Sequence, residues 1–226
     1  MLTYENDFFQ MFYKENDPYK DFIIDALNSK TKDIADFFGI TKVDEKIKVI
    51  IYYSIDEFKN YLIPFLYDGK YYDWMIGSTH DGNINHLSLE CCHQTETHSD
   101  RTLKQYIDGI IHEVVHKMHH LYRGEDETEN AWFHESLATN LSNQDYKVVP
   151  ITCTLEELKT DYNSVVNQYS ISYTIGKYLL ENYPHDFILS MCKDEKILDA
   201  NAHKLFEETK KYAQNYFFIS IRNNVK

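Results

Sequence analysis

Glycine and proline are scarce, 7 and 4 of 226 residues. That scarcity argues against a turn-rich β-sandwich, and no low-complexity linker or internal repeat interrupts the chain. The four cysteines, Cys91, Cys92, Cys153 and Cys192, show no CxxC spacing and make no disulfide framework, so reduced thiols are expected. Basic residues are also few, 23 Lys and Arg against 36 Asp and Glu, for a net charge of −13 and a pI near 5.2. Without a basic stripe, nucleic acid is excluded as a partner on electrostatic grounds. No apolar run is long enough to span a bilayer, so no membrane partner is expected. The first residues, MLTYENDFFQMFYKENDPY, lack a basic segment followed by an apolar one. The expectation is therefore a cytoplasmic protein.

What is abundant is apolar and aromatic. Hydrophobic residues make up 43% of the chain, with 19 Tyr and 13 Phe. That suffices for one large domain, or two small subdomains around a shared cleft. Residues 17–38 carry apolar side chains at helical spacing (Phe22, Ile23, Ala26, Leu27, Ile34, Phe37, Phe38), with Gly39 as a stop. Lys46 to Tyr53, KIKVIIYY, suits a buried strand. Ser54 and Glu57 form a capping pair that opens a helix to about Leu66. Two short runs, Trp74 to Thr79 and Ile84 to Leu89, flank an Asp81-Gly82 turn and predict a hairpin. From about Asp100 to Tyr122 the apolar residues Leu103, Ile107, Ile110, Ile111, Val114, Val115 and Met118 trace one helical face, with Gly124 just past its end. Helices are predicted over about Thr128 to Asn140 and Asn163 to Asn182, the latter ending before Pro184. Thr154 and Glu157 form a second capping pair, and the last forty residues are helical in pattern. Strands and helices come first, then helices only. The expected class is α+β: an N-terminal helical segment over 1–45, then a domain over 46–226. That domain comprises a small sheet with the long helix (46–124) and a helical subdomain (125–226), with a cleft between.

The chemistry concentrates on that long helix. His112-Glu113-Val114-Val115-His116 is an HExxH motif. Residues i and i+4 share a helical face one turn apart, so two imidazoles can reach one ion. Zinc accepts neutral imidazole and carboxylate ligands, and a catalytic site needs three protein ligands plus water. Glu113 stands beside the metal and can act as general base without ligating it. His120 lies about 12 Å along the axis from His112 at 1.5 Å per residue, too far to share the ion. His119 and His120 are expected as surface or second-turn histidines, and His134 is expected to be incidental. The metzincin extension fails, because His119 and Tyr122 occupy its Gly and His places. Separated from His116 by eighteen residues, Glu135 sits on a second predicted helix and is the candidate third ligand. Cys91-Cys92-His93 lacks partner spacing for a second metal site.

HExxH-x18-E, with Trp132, Glu135 and Ala138 in W-x-x-E-x-x-A, resembles the gluzincin zinc metallopeptidases, the branch of aminopeptidase N and the smaller peptidase-MA-like proteins. The family's usual Gly after the third-ligand glutamate is Ser136 here, small enough to keep close helix packing. The resemblance covers roughly residues 46 to 183. It implies a zincin-like fold, Zn2+ as cofactor on His112, His116 and Glu135, and a peptide or protein as substrate. Downstream, Tyr169, Tyr173, Tyr178 and Leu179 resemble the segment where such enzymes place an oxyanion-donating tyrosine. That register makes Tyr169 the candidate, with Tyr173 as the alternative. Trp74 to Leu89 resembles the segment that ends in a substrate-binding edge strand, here Ile84 to Leu89. The aminopeptidase motif G-x-M-E-N is absent, and Glu90 lies too close to His112 to replace its glutamate. These features imply an endopeptidase rather than an aminopeptidase. The competing expectation is a degenerate gluzincin that holds zinc and a protein partner without hydrolysis.

Overall fold

The computed structural model describes residues 1–66, 69–80, 82–124 and 130–224. Among them the chain forms one mixed five-stranded sheet and nine α-helices, an α+β protein. Two compact units emerge, residues 1–118 and 119–226.

In the first unit, β1 (Leu2–Glu5) pairs antiparallel with β2 (Phe9–Tyr13). Helix α1 (Lys20–Phe37) then carries the chain to β3 (Ile47–Tyr52), parallel to β2. A parallel neighbour requires such a crossover, because a tight turn can only reverse the chain. After α2 (Ile55–Leu62) and a 3₁₀ turn at Ile63–Phe65 come β4 (Gly77–His80) and β5 (Asn83–Leu87), an antiparallel hairpin. The short α3 (Leu89–Cys92) and the long α4 (Leu103–Arg123) follow.

Strand order is β1-β2-β3-β5-β4. Two expectations are corrected here. The segment 1–45, expected to be helical, contains β1 and β2 ahead of its helix. The strand at Ile84 to Leu89 is interior, paired with β3 on one side and β4 on the other, so the edge on this side of the sheet is β4. The turn residue Asp81 lies outside the described residues.

Alternation along the hairpin sorts its side chains between two faces. Gly77 opposes His86, and Thr79 opposes Ile84. These four share the face that meets α4, where the His86 ring packs edge-on against Tyr106, centroids 5.2 Å apart. On the other face the Asn85 amide donates a hydrogen bond of 3.0 Å to the Tyr61 hydroxyl of α2, and His80 stacks on Phe65. Helix α4 forms because Tyr106, Ile110, Ile111, Val114, Val115 and Met118 recur at helical spacing, and all are buried. It ends at Gly124, whose φ of +84° few other residues tolerate.

The second unit is helical: α5 (Ala131–Leu141), α6 (Leu155–Thr160), a 3₁₀ turn at Tyr162–Ser164, α7 (Gln168–Asn182), α8 (His185–Lys193) and α9 (Glu195–Asn224). Thr154 and Glu157 make the full reciprocal cap of α6. Helix α7 starts later than Asn163 because Asn167 is left-handed, φ +61°, and breaks the run. Thr128, expected to open α5, lies outside the described residues. Helix α4 itself crosses the division, since its residues from His119 onward belong to the second unit. Among the described residues no helix is long and apolar enough to cross a membrane.

Candidate metal centre

Helix α4 does the first part of the assembly alone. One turn apart, His112 and His116 bring their Nε2 atoms to 3.0 Å, with rings crossed at 77°. At that separation one proton or one cation can join two nitrogens. Two nitrogens bound to a tetrahedral zinc at about 2.05 Å stand about 3.3 Å apart, so the pair is close to ligand spacing. His112 is buried and His116 half-buried.

Glu113 projects against β4. Its Oε2 accepts a hydrogen bond of 2.7 Å from the Thr79 hydroxyl. Gly77 lies on the same strand face, and a Cβ there would fall 3.3 Å from Glu113 Oε1 and 2.8 Å from His86 Cδ2. His86 is itself pinned, with Nδ1 2.7 Å from the Leu87 carbonyl oxygen. A carbonyl only accepts, so Nδ1 carries the proton. Burial, then the Arg101 charge, lowers the His86 pKa to about 3, and the ring is neutral at ordinary pH.

Glu135 sits on α5, half-buried. Helix α5 approaches α7 so closely that a Cβ on Gly176 would collide with the Ser136 carbonyl. Asn140 spans the two helices, donating to the Ser136 oxygen at 2.8 Å and to the Tyr173 oxygen at 3.0 Å. Ser136 is fully buried and its hydroxyl turns back to the Phe133 carbonyl at 2.7 Å. The residue whose size sets the close approach of α5 and α7 is therefore Gly176, which meets the backbone of Ser136.

The ligand atoms of His112, His116 and Glu135 all lie within 4.8 Å of one another. Among the described residues they are the one such group of three His, Cys, Asp or Glu side chains. Two imidazoles and a carboxylate are a donor set that suits zinc, so the residues fit the ion. His120 is not in the group. Cys91 and Cys92 are buried in the last turn of α3, with the Cys92 thiol 3.8 Å from the Leu87 carbonyl, and among the described residues they join no metal-holding group.

Tyr169 lies in the first turn of α7, its ring 6.2 Å from Tyr162 and 6.3 Å from Tyr146. Tyr173, the alternative, neighbours Tyr146 at 6.3 Å. Tyr162 was not anticipated. It is buried, its hydroxyl 3.0 Å from Ser172 Oγ, and burial followed by the Glu135 charge drives its pKa far up. The Glu135 carboxylate therefore acts on a neutral phenol. Nothing in the surrounding DYNSVV marks this tyrosine among nineteen. His119, expected as a surface or second-turn histidine, is buried and stacks on His134 at 4.2 Å. The two histidines thus make a packed pair at the end of α4.

Scans of the chain against protein families, curated proteins and solved structures find no match. The reading of the site rests on its own residues.

Proposed function

We propose that this chain is a zinc metallopeptidase of gluzincin type, with a zincin-like fold, that cleaves peptide bonds within a chain. The observation that carries the proposal is the convergence of His112, His116 and Glu135, ligand atoms within 4.8 Å, with a carboxylate beside them on the same helix. His112, His116 and Glu135 would hold the ion. A bound zinc ion supplies Lewis-acid chemistry, polarising a scissile carbonyl and making water nucleophilic at neutral pH. Glu113 takes the proton of the attacking water on its carboxylate and delivers it to the leaving amine. The Tyr169 hydroxyl donates to the oxyanion as it forms. The outer side of β4 offers main-chain groups to an extended peptide.

The test is metal analysis of the purified protein, followed by cleavage of a peptide library by wild type and by Glu113→Gln. Zinc near one equivalent, with turnover reduced on the order of a hundredfold or more in the variant, supports the proposal. Protein without affinity for zinc overturns it. Zinc-loaded wild type that cleaves nothing in the library replaces hydrolysis with partner binding.

A further inference from the structure

A general base on a metal-binding helix faces a competing use. Glu113 adjoins His112 in the chain, and a carboxylate is itself a good zinc ligand. To work on water it has to be kept beside the ion and off it. Helix geometry alone does not do this, because a glutamate side chain has three rotatable bonds. The restraint therefore has to come from outside α4.

The structure offers one on β4. Thr79 Oγ1 stands 2.7 Å from Glu113 Oε2 and 3.4 Å from the Glu113 carbonyl oxygen. Its single proton goes to the shorter, charge-assisted bond. Strand alternation puts Gly77 on the same face, two residues away. The room left there by the missing side chain takes the second carboxylate oxygen and the edge of the His86 ring. One oxygen is tied to Thr79 and the other lies against Gly77. The neutral, pinned His86 ring closes the space under Gly77, so the strand cannot carry a side chain at 77 without displacing it.

We propose that Thr79 is the positioning residue of Glu113. It holds Oε2 so that Oε1 faces the reacting water, and Gly77 keeps the space open. This rests on the hydrolytic reading above. The Thr79 hydroxyl is spent on the Glu113 carboxylate, so its loss acts through the placement of Glu113.

The experiment uses the full-length zinc-loaded protein and a peptide that wild type cleaves. Thr79→Val keeps the branched shape and removes the hydroxyl. The expected result is a kcat lower by about ten- to a hundredfold, the scale of a small misplacement of a catalytic group. KM, zinc affinity measured by chelator competition, and melting temperature stay at wild-type values. Thr79→Ser restores the hydroxyl and most of kcat. A crystal structure of Thr79→Val shows the Glu113 carboxylate turned away from its wild-type position, a readout independent of turnover. An unchanged kcat in Thr79→Val overturns the proposal, as does Thr79→Ser no better than Thr79→Val. So does a loss of zinc affinity that tracks the loss of rate. If Thr79→Val does not fold, Thr79→Ala and Thr79→Ser are compared on the same criteria. Wild type that cleaves no peptide defeats the hydrolytic reading itself. An active wild type and inactive Glu113→Gln beside a fully active Thr79→Val defeat only the role of Thr79.

Discussion

His112 and His116 reach their 3.0 Å separation through the pitch of one helix, whereas Glu135 depends on how α5 packs. The first pair needs only local hydrogen bonds along α4. Glu135 sits on a helix held by a glycine-to-carbonyl approach and by Asn140 bridging to α7. A similar contrast separates the two candidate helpers. Glu113 is tied to a strand by one short hydrogen bond, while Tyr169 rests among the rings of Tyr146 and Tyr162. Residues fixed by local periodicity tolerate change around them. Those fixed by close packing report every added atom.

The largest expected effect breaks the ligand set at its packed end. Glu135→Ala should weaken zinc binding by well over the roughly hundredfold that loss of an outer-shell partner costs, since it removes a ligand. His120→Ala should leave the affinity unchanged. Chelator competition on both variants checks this, and equal affinities would remove Glu135 from the site.

Next comes the phenol. Tyr169→Phe should lower kcat by about a hundredfold, as loss of an oxyanion donor does, with KM and melting temperature little changed. Steady-state kinetics on Tyr169→Phe, Tyr173→Phe and Tyr162→Phe test this register. A loss confined to Tyr173→Phe moves the donor one turn along α7.

Gly176→Ala sharpens the packing side of the contrast. The new methyl meets backbone that has no side-chain freedom to yield, and overpacking of this kind costs roughly 1–3 kcal/mol. Thermal melting should show the loss, about 2–4 °C per kcal/mol for a chain of this length. Ala at the exposed Gly39, which has open space around it but a φ of +67°, is the comparison for backbone strain alone.

The smallest effect concerns the strand side. His86 has a folded pKa of about 3 against 6.5 for a free histidine, lowered first by burial. Between those values the unfolded chain binds a proton that the folded one refuses. Stability from this group is complete above about pH 6.5 and falls as pH drops toward 3, by at most about 1.4 kcal/mol per pH unit. Urea melts at pH 7, 6 and 5 should show a shallower decline in His86→Gln than in wild type. Parallel declines would mean that His86 is not the group responsible.

Helix α4, its stop at Gly124, β3 and the α6 cap were legible because each is a local pattern. The HExxH spacing is a local pattern too, whereas Glu135 was reached through the eighteen-residue gap and the gluzincin resemblance, and its side chain groups with His112 and His116. The edge strand was not. The edge-strand expectation for Ile84 to Leu89 came from the family resemblance, whereas strand order is decided by pairing between segments far apart in sequence, and β5 carries the polar residues Asn85 and His86. Both are fully buried, served by Tyr61 and by the Leu87 carbonyl. β1 and β2 escaped because LTYE and FQMFY are short and mix polar with apolar residues. His119 was misplaced because an imidazole near a helix end is ordinarily solvated, while here a second imidazole covers it.

Because α4 begins in one unit and finishes in the other, the chain cannot be divided at its natural seam without cutting a helix. A fragment ending at Met118 would lose the last five residues of that helix, and with them the Lys193 ammonium that takes up the carbonyls of Tyr122 and Arg123. Neither half is a cassette for recombination.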